Sequence, residues 1–317
     1  MEIAPGLLQI RATSGAKLLN LYAMVGEDGV ALLDTGLAGH PAEAIAPELE
    51  RAGYALNQVR LIVNTHADAD HHGGNAAVLA NAPEARVMAH RLDQPLIERA
   101  DALFQLRYNQ FAADHGIAYS VEVLNWLRAN VGADTLVDVA LDGGEILRVP
   151  GGDHVEVYHI PGHTWGHLLL WDPRRRFAFI GDGILGRGEY SLDGKLFAPP
   201  TYLTVEGYLG GIGLLRALRP SMILRCHTEV ITGGEIDTFL SQSTEWVREC
   251  EAAVLSLVSA SPGVCLAELI MLVNERLGPY VVDLDLAYAV SAHLHHLVRL
   301  GRLVERYVDG RVRWWPA

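Results

Sequence analysis

Residues 64–75 read NTHADADHHGGN, and this stretch decides how the rest of the chain is understood. His66, Asp68, Asp70, His71 and His72 fall within seven positions and run straight into a glycine pair. Imidazole and carboxylate side chains at this density suit divalent cations with nitrogen and oxygen ligands. In an extended segment, residues 66, 68 and 70 would share one face, because side chains alternate with period two. His71 would then diverge unless the chain turns, and Gly73 and Gly74 are expected to permit that turn and to let a helix start close behind the metal. On this reading His66 and Asp68 address one ion, and Asp70 and His71 its neighbour.

Working outward, the stretch begins inside an apolar run, VRLIVNTH (59–66). A second run, GVALLDTG (29–36), precedes it, with helical spacing in PAEAIAPELERAGY (41–54) between the two. ARVMAH (85–90) is a third strand. This strand–helix–strand rhythm predicts an α/β layer architecture. Residues 91–130 turn helical, with Phe104, Tyr108, Phe111 and Trp126 among charges. Short strands follow in EILRVPGG (145–152), HVEVYHIP (154–161), HLLLWDP (167–173) and RFAFIGDG (176–183). A helix over 207–220 stops at Pro220, and SMILRCH (221–227) is a strand.

Function in α/β folds gathers at strand ends. Three further metal-seeking side chains stand there: His163 after VYHIPG, Asp182 after FAFIG, and His227 after MILRC. With the first cluster they make four histidines and three aspartates, enough for two ions. Asp182, a carboxylate, could bridge them.

Five segments in order, LLDTG, THADADHHGG, PGHTWGH, GD (181–182) and His227, resemble the metallo-β-lactamase superfamily of glyoxalase II-like metallo-hydrolases. The resemblance implies an αββα sandwich over residues 1–240 with a dinuclear site at one edge of the paired sheets. It implies that His66, Asp68 and His163 hold one metal, that Asp70, His71 and His227 hold the other, and that Asp182 bridges. Asp34 would be a structural residue beside the site. The cofactors it implies are two divalent ions, Zn2+ before Fe or Mn. The departure from the family is Asp68, which stands where a histidine is usual and makes the motif HxDxDH. A carboxylate is the harder ligand and widens the choice of metal toward iron or manganese.

The implied reaction is hydrolysis of an ester, thioester or lactone-type acyl bond in a small, apolar substrate. Asp70 is expected to orient the attacking water and take its proton. The helical insertion 91–130 is a candidate lid, with Phe104, Tyr108 and Phe111 facing the substrate. Tyr202, in the loop FAPPTYLT (197–204), is a further wall candidate. Few basic residues lie near the motifs, which favours a neutral acyl compound. Two rivals carry different chemistry: a nuclease or phosphodiesterase, and a non-haem diiron enzyme that uses oxygen.

Residues 241–317 show three helical segments and then RLVERYVDGRVRWW (302–315), an alternating pattern around Asp309-Gly310 that predicts a hairpin. This reads as a winged-helix-like unit. Residues 262–317 hold six acidic and six basic side chains, whereas a nucleic-acid reader should be basic. Packing on the main domain or forming a homodimer suits Val304, Val308, Trp314 and Trp315 better. The formal net charge of -13 opposes general nucleic-acid or anionic-membrane binding. The start carries no secretory pattern, and no apolar run is long enough to span a membrane, so a cytoplasmic home is expected. Three scattered cysteines make no disulfide framework and are read as core residues.

Overall fold

The structure is a computed structural model that describes residues 1–151 and 154–317, so Gly152, at the end of the 145–152 segment, lies outside the described residues. Two sheets stack face to face. The first contains seven strands in chain order: β1 (Glu2–Ala4), β2 (Leu7–Ser14), β3 (Lys17–Gly26), β4 (Gly29–Leu33), β5 (Val59–Val63), β6 (Arg86–His90) and β7 (Val139–Leu141). Its first half is antiparallel. From β4 onward its strands run parallel, because the 41–51 and 75–81 helical segments return the chain across one face.

The second sheet contains β8 (Ile146–Arg148), β9 (His154–His159), β10 (Leu168–Asp172), β11 (Phe177–Gly181), β14 (Met222–Arg225) and β15 (Ile231–Thr232), in the order β15-β14-β11-β10-β9-β8. Between β11 and β14 lie a small hairpin, β12 (Glu189–Tyr190) with β13 (Leu196–Ala198), and the helix Val205–Leu218. That helix starts two residues before the sequence suggests, since the Thr204 side chain caps it by accepting from Gly207 N.

Period-two alternation explains why β10, up to its terminal Asp172, and β11 are apolar on both faces. Leu168, Leu170, Phe177 and Phe179 fill the core between the sheets. Leu169, Trp171, Ala178 and Ile180 face the other way, into a second core under the helices. A strand buried on both faces has no polar side to show. The result is an αββα sandwich. Both the cores and the strand order fit the α/β expectation, and the three cysteines are buried and free.

The β2–β3 hairpin is an element that the apolar-run reading passed over. It closes at Ser14↔Lys17 around Gly15, whose φ of 59° needs a glycine or a strained residue. It sets Lys17 where its charge acts on Asp70.

The C-terminal helices are Gly234–Ala260, Leu266–Leu277 and Leu286–Arg299. The first runs unbroken across residue 240 and shares the second core with the helix Val205–Leu218. β16 (Val264–Cys265), β17 (Leu303–Val308) and β18 (Arg311–Pro316) form a three-stranded sheet. Its β17–β18 turn has Asp309 at φ 50° and Gly310 at φ 76°, the paired positive values a two-residue hairpin requires. No helix among the described residues is long and apolar enough to cross a membrane.

Candidate metal centre

The 64–75 stretch reaches its shape differently from the simple alternation. Residues 64–68 extend from β5, and a short helix, Ala69–His72, begins immediately after Asp68. Asp70 and His71 therefore leave the line of His66 and Asp68 by helical rotation, ahead of the glycines. Gly73 and Gly74 have ordinary negative φ, so conformational freedom is not why they are glycine. Close approach is. A Cβ on Gly73 would lie 2.5 Å from Ala69 O and 2.7 Å from Asn130 O, and one on Gly74 would lie 2.4 Å from Thr35 O.

The four sequence-distant segments converge on this turn. His163 Nε2 lies 2.8 Å from Asp68 Oδ2, and His66 Nε2 lies 3.5 Å from the same oxygen. On the other side, His227 Nε2 is 3.5 Å from Asp70 Oδ2, and His71 Nε2 is 3.8 Å from Asp70 Oδ1. Asp182 Oδ2 stands 3.2 Å from His71 Nε2 and 3.1 Å from His227 Nε2. His66, Asp68 and His163 form one cluster of donor atoms within 4.8 Å of one another. Asp70, His71 and His227 form a second, and Asp182 groups with His66 and His71. All seven residues named from the sequence are thus brought together.

Each imidazole is turned by its other nitrogen. His71 Nδ1–H donates to Asp34 Oδ2 at 2.8 Å. His227 Nδ1–H donates to Leu18 O at 2.8 Å. His66 Nδ1 lies 3.0 Å from the Thr65 hydroxyl, which itself donates to Asp34 Oδ2. His163 Nδ1 meets Thr201, 2.7 Å from its hydroxyl. All four Nε2 atoms therefore face the centre. Those of His66, His71 and His227, and Asp182 Oδ1, are buried with no hydrogen-bond partner among the described residues. Buried polar atoms are rarely left alone. Nitrogen and oxygen donors 3–4 Å apart, open toward a common point, suit divalent ions bound at about 2.0–2.2 Å.

The buried carboxylates and imidazoles set one another's charge. Burial pushes the Asp182 carboxyl up, but the adjacent His227 and His71 hold it well below the usual carboxylate range. Burial likewise lowers His71, yet Asp182 and Asp34 raise it well above an ordinary histidine. Asp34, fully buried at φ 62°, accepts from Thr65 N, Thr65 Oγ1 and His71 Nδ1. Asp93, also buried, ties the two loops together by accepting from Ala67 N, Thr164 Oγ1 and Gly166 N. His167 stacks on His66 and donates to Ile180 O, as a packing residue should.

A cavity of about 430 Å³ opens onto this cluster. Asp68, Asp70, His163, Asp182 and His227 form its polar floor, and Leu37, Tyr108, Val123, Trp126, Phe197 and Val282 its apolar walls. Of the four residues read as substrate-facing, Tyr108 is on the wall, and its hydroxyl accepts from Ala69 N at 2.9 Å. Tyr202, Phe104 and Phe111 lie elsewhere, which corrects the expectation. Tyr202 is wholly buried in the second core with its hydroxyl 2.8 Å from His293 Nε2, and Phe104 and Phe111 are core rings. Large rings away from the mouth gain more from burial than from solvent contact. Trp126, Val123 and Leu127, from the same insertion, line the cavity instead.

Two cations stand at the site that sequence proximity did not reveal. Arg107, in the helical insertion, binds Asp68 through both oxygens, Nε to Oδ1 at 3.0 Å and Nη2 to Oδ2 at 2.8 Å. Lys17, on the hairpin, pairs with Glu189 at 2.6 Å. Each is spent on a carboxylate, so the cavity carries little free positive charge. The available signal for Arg107 was its isolation in the FQLRY run (104–108), where a lone charge between apolar neighbours demands a buried partner.

The C-terminal segment also reaches this cavity, through Val282 and Asp285 in the connection after Leu277 and through Tyr288 in the helix Leu286–Arg299. Burial pushes the Asp285 carboxyl up to about 6, against the pull of the Tyr119 hydroxyl that donates to it. A carboxyl raised from 3.8 to about 6 keeps its proton longer in the folded state, so its contribution to stability is lost as pH rises through that window. Asp285→Asn is expected to flatten the pH dependence of the urea midpoint across it. An unchanged slope in the variant would remove Asp285 as its source.

Residues 17–227 match the family model of the metallo-beta-lactamase superfamily. The chain is 29% identical over 148 residues to a hydroxyacylglutathione hydrolase of Maricaulis maris (strain MCS10), a match that covers 46% of this chain and 41% of that protein. It is 23% identical over 246 residues to an acyl-coenzyme A thioesterase of Homo sapiens, covering 73% of this chain and 78% of that protein. The match thus spans well under two thirds of the first relative's length. Among solved structures, a metallo-beta-lactamase family protein from Thermus thermophilus superposes with a TM-score of 0.79 at 22% identity, covering 100% of both chains. At that identity the likeness is one of fold.

Proposed function

The chain belongs to the metallo-beta-lactamase superfamily, and from that premise we propose a metal-dependent hydrolase that cleaves a thioester, ester or lactone-type acyl bond in a small apolar substrate. The observation that carries the reading is the set of buried donors left without a hydrogen bond among the described residues, His66 Nε2, His71 Nε2, His227 Nε2 and Asp182 Oδ1, gathered with the Asp68, Asp70 and His163 side chains on the floor of an apolar-walled cavity. Two divalent ions, Zn2+ first among them, would be held by His66, Asp68 and His163 on one side and Asp70, His71 and His227 on the other, with Asp182 between. Bound there, such ions supply Lewis acidity and lower the pKa of a coordinated water to about 7.

The chain's own residues then divide the remaining work. Asp70, at the cavity floor, orients the attacking water and takes its proton. The water oxygen bonds the acyl carbon, the acyl C–S or C–O bond breaks, and the proton passes to the departing thiolate or alkoxide. Asp34, Thr65, Thr201 and the Leu18 carbonyl hold the imidazole rings so that each Nε2 keeps its aim. Trp126, Val123 and Tyr108 exclude water from the acyl group. The pairing of Arg107 with Asp68 and of Lys17 with Glu189 supports a neutral acyl group over a phosphodiester. The 241–317 segment, read as a winged-helix-like unit, serves here as a wall of the cavity.

The test is a panel of acyl thioesters, esters, lactones and phosphodiesters offered to the zinc-loaded protein. Turnover of an acyl substrate is expected, and a response to phosphodiesters alone would overturn the acyl reading. Trp126→Ala is expected to raise KM for long acyl chains about tenfold, the loss of roughly 1.4 kcal/mol of apolar contact, and to leave short-chain substrates nearly unchanged. Equal effects on both chain lengths would move the acyl group to another wall.

A further inference from the structure

The two halves of the metal centre differ in charge, and the difference comes from one residue. The side built from His66, Asp68 and His163 faces a guanidinium. Arg107 Nη2 lies 2.8 Å from Asp68 Oδ2, the oxygen that also meets His163, and 3.3 Å from His163 Nε2 itself. The Asp68 carboxylate is thereby neutralised through both oxygens before any ion arrives. Arg107 Nη1 is buried without an acceptor among the described residues, so the guanidinium keeps one unsatisfied N–H edge beside the site. The other side has Asp70 and Asp182 against His71 and His227, and its nearest cation, Lys17, is paired with Glu189.

Arg107 is not free to swing away. Its side chain is buried, its guanidinium carbon lies 4.4 Å over the Tyr288 ring, and its carbonyl accepts from the Tyr288 hydroxyl at 3.1 Å. Tyr288 belongs to the C-terminal helix Leu286–Arg299, so this segment fixes a cation inside the metal centre of the αββα sandwich.

We infer that Arg107 makes the two metal positions unequal: it stands against a dication at His66, Asp68 and His163, so the Asp70, His71, His227 and Asp182 position fills first and tightly. Like charges a few ångströms apart in a buried site repel strongly, and a carboxylate already paired with arginine attracts a second cation weakly. Asp68 is then the partner of Arg107 as much as a ligand, which gives a physical reason for an aspartate there. A neutral histidine at 68 would leave the buried guanidinium without its counter-charge.

The inference rests on the two-ion reading above, and its test reads stoichiometry, not turnover. Metal-free full-length protein is titrated with Zn2+ against a chromophoric chelator, giving stepwise affinities. The expected result is one tight equivalent and a second at least about a hundredfold weaker. His227→Ala should abolish the tight step, and His163→Ala only the weak one. Arg107→Gln should strengthen the second step about tenfold or more, whereas Arg107→Lys, which keeps the charge, should preserve the inequality. Two equivalents of equal affinity in the unaltered protein, or a second step indifferent to Arg107→Gln, would overturn the inference and leave metal-dependent hydrolysis standing. Absence of any zinc binding would overturn both. The unaltered protein decides the first point even if Arg107→Gln does not fold.

Discussion

Asp70→Asn is expected to lower kcat of the zinc-loaded protein by about a hundredfold to ten-thousandfold, the usual span for loss of a positioned general base. The substitution keeps the size and one carbonyl oxygen but removes the charge that accepts a proton. Asp70 is suited to this because it lines the cavity floor between His71 and His227, where water and substrate can both reach it. Burial would raise its carboxyl, but His71, His227 and Lys17 hold it below the usual carboxylate range, so it stays ionised near neutral pH. Because asparagine is also a weaker metal donor, zinc content is measured alongside turnover. Full zinc content with lost kcat assigns the loss to chemistry. Unchanged kcat would remove Asp70 from the reaction.

The second large effect is on stability. Asp34→Ala leaves Thr65 N, the Thr65 hydroxyl and His71 Nδ1 without their acceptor in a wholly buried place. Breaking a buried charged network in this way typically costs about 3–5 kcal/mol. Alanine at φ 62° adds roughly 1–2 kcal/mol that aspartate tolerates better. The urea midpoint should fall sharply, and zinc affinity should drop about 10–100-fold as His71 loses its orientation. Asp34→Asn relieves only the backbone part, since its amide hydrogens would face two donors. A midpoint within error of the unaltered protein would show that Asp34 does not tie the end of β4 to the 64–75 stretch.

Residues that act through type and order were legible in the sequence. His66, Asp68, Asp70, His71, His163, Asp182 and His227 each stand where an apolar strand gives way to a loop, and strand ends converge at one edge of an αββα sandwich. The doubly buried β10 and β11 could be read because a strand covered on both faces is apolar along nearly its whole length.

What the sequence hid depends on tertiary approach. Arg107 lies 39 residues from Asp68, and its role is fixed by Tyr288, 181 residues away from it. No local period encodes such a clamp. Tyr202 illustrates the converse. A tyrosine in a loop near the site invites a substrate role, but its ring found the second core and its hydroxyl found His293. The glycine pair is legible as close packing behind the site, whereas its turn-permitting role is not needed, because conformational freedom and close backbone approach select the same residue.

On the proposed function, the clustered donors hold metal and acyl hydrolysis requires it. The most direct measurement is elemental analysis of the protein purified without added metal, paired with acyl-thioester turnover before chelation, after chelation and after zinc is returned. Between one and two divalent ions per chain are expected, with turnover lost when they are removed and restored by zinc. A protein that carries no divalent metal and takes up none, or that hydrolyses acyl thioesters equally well when metal-free, would contradict this.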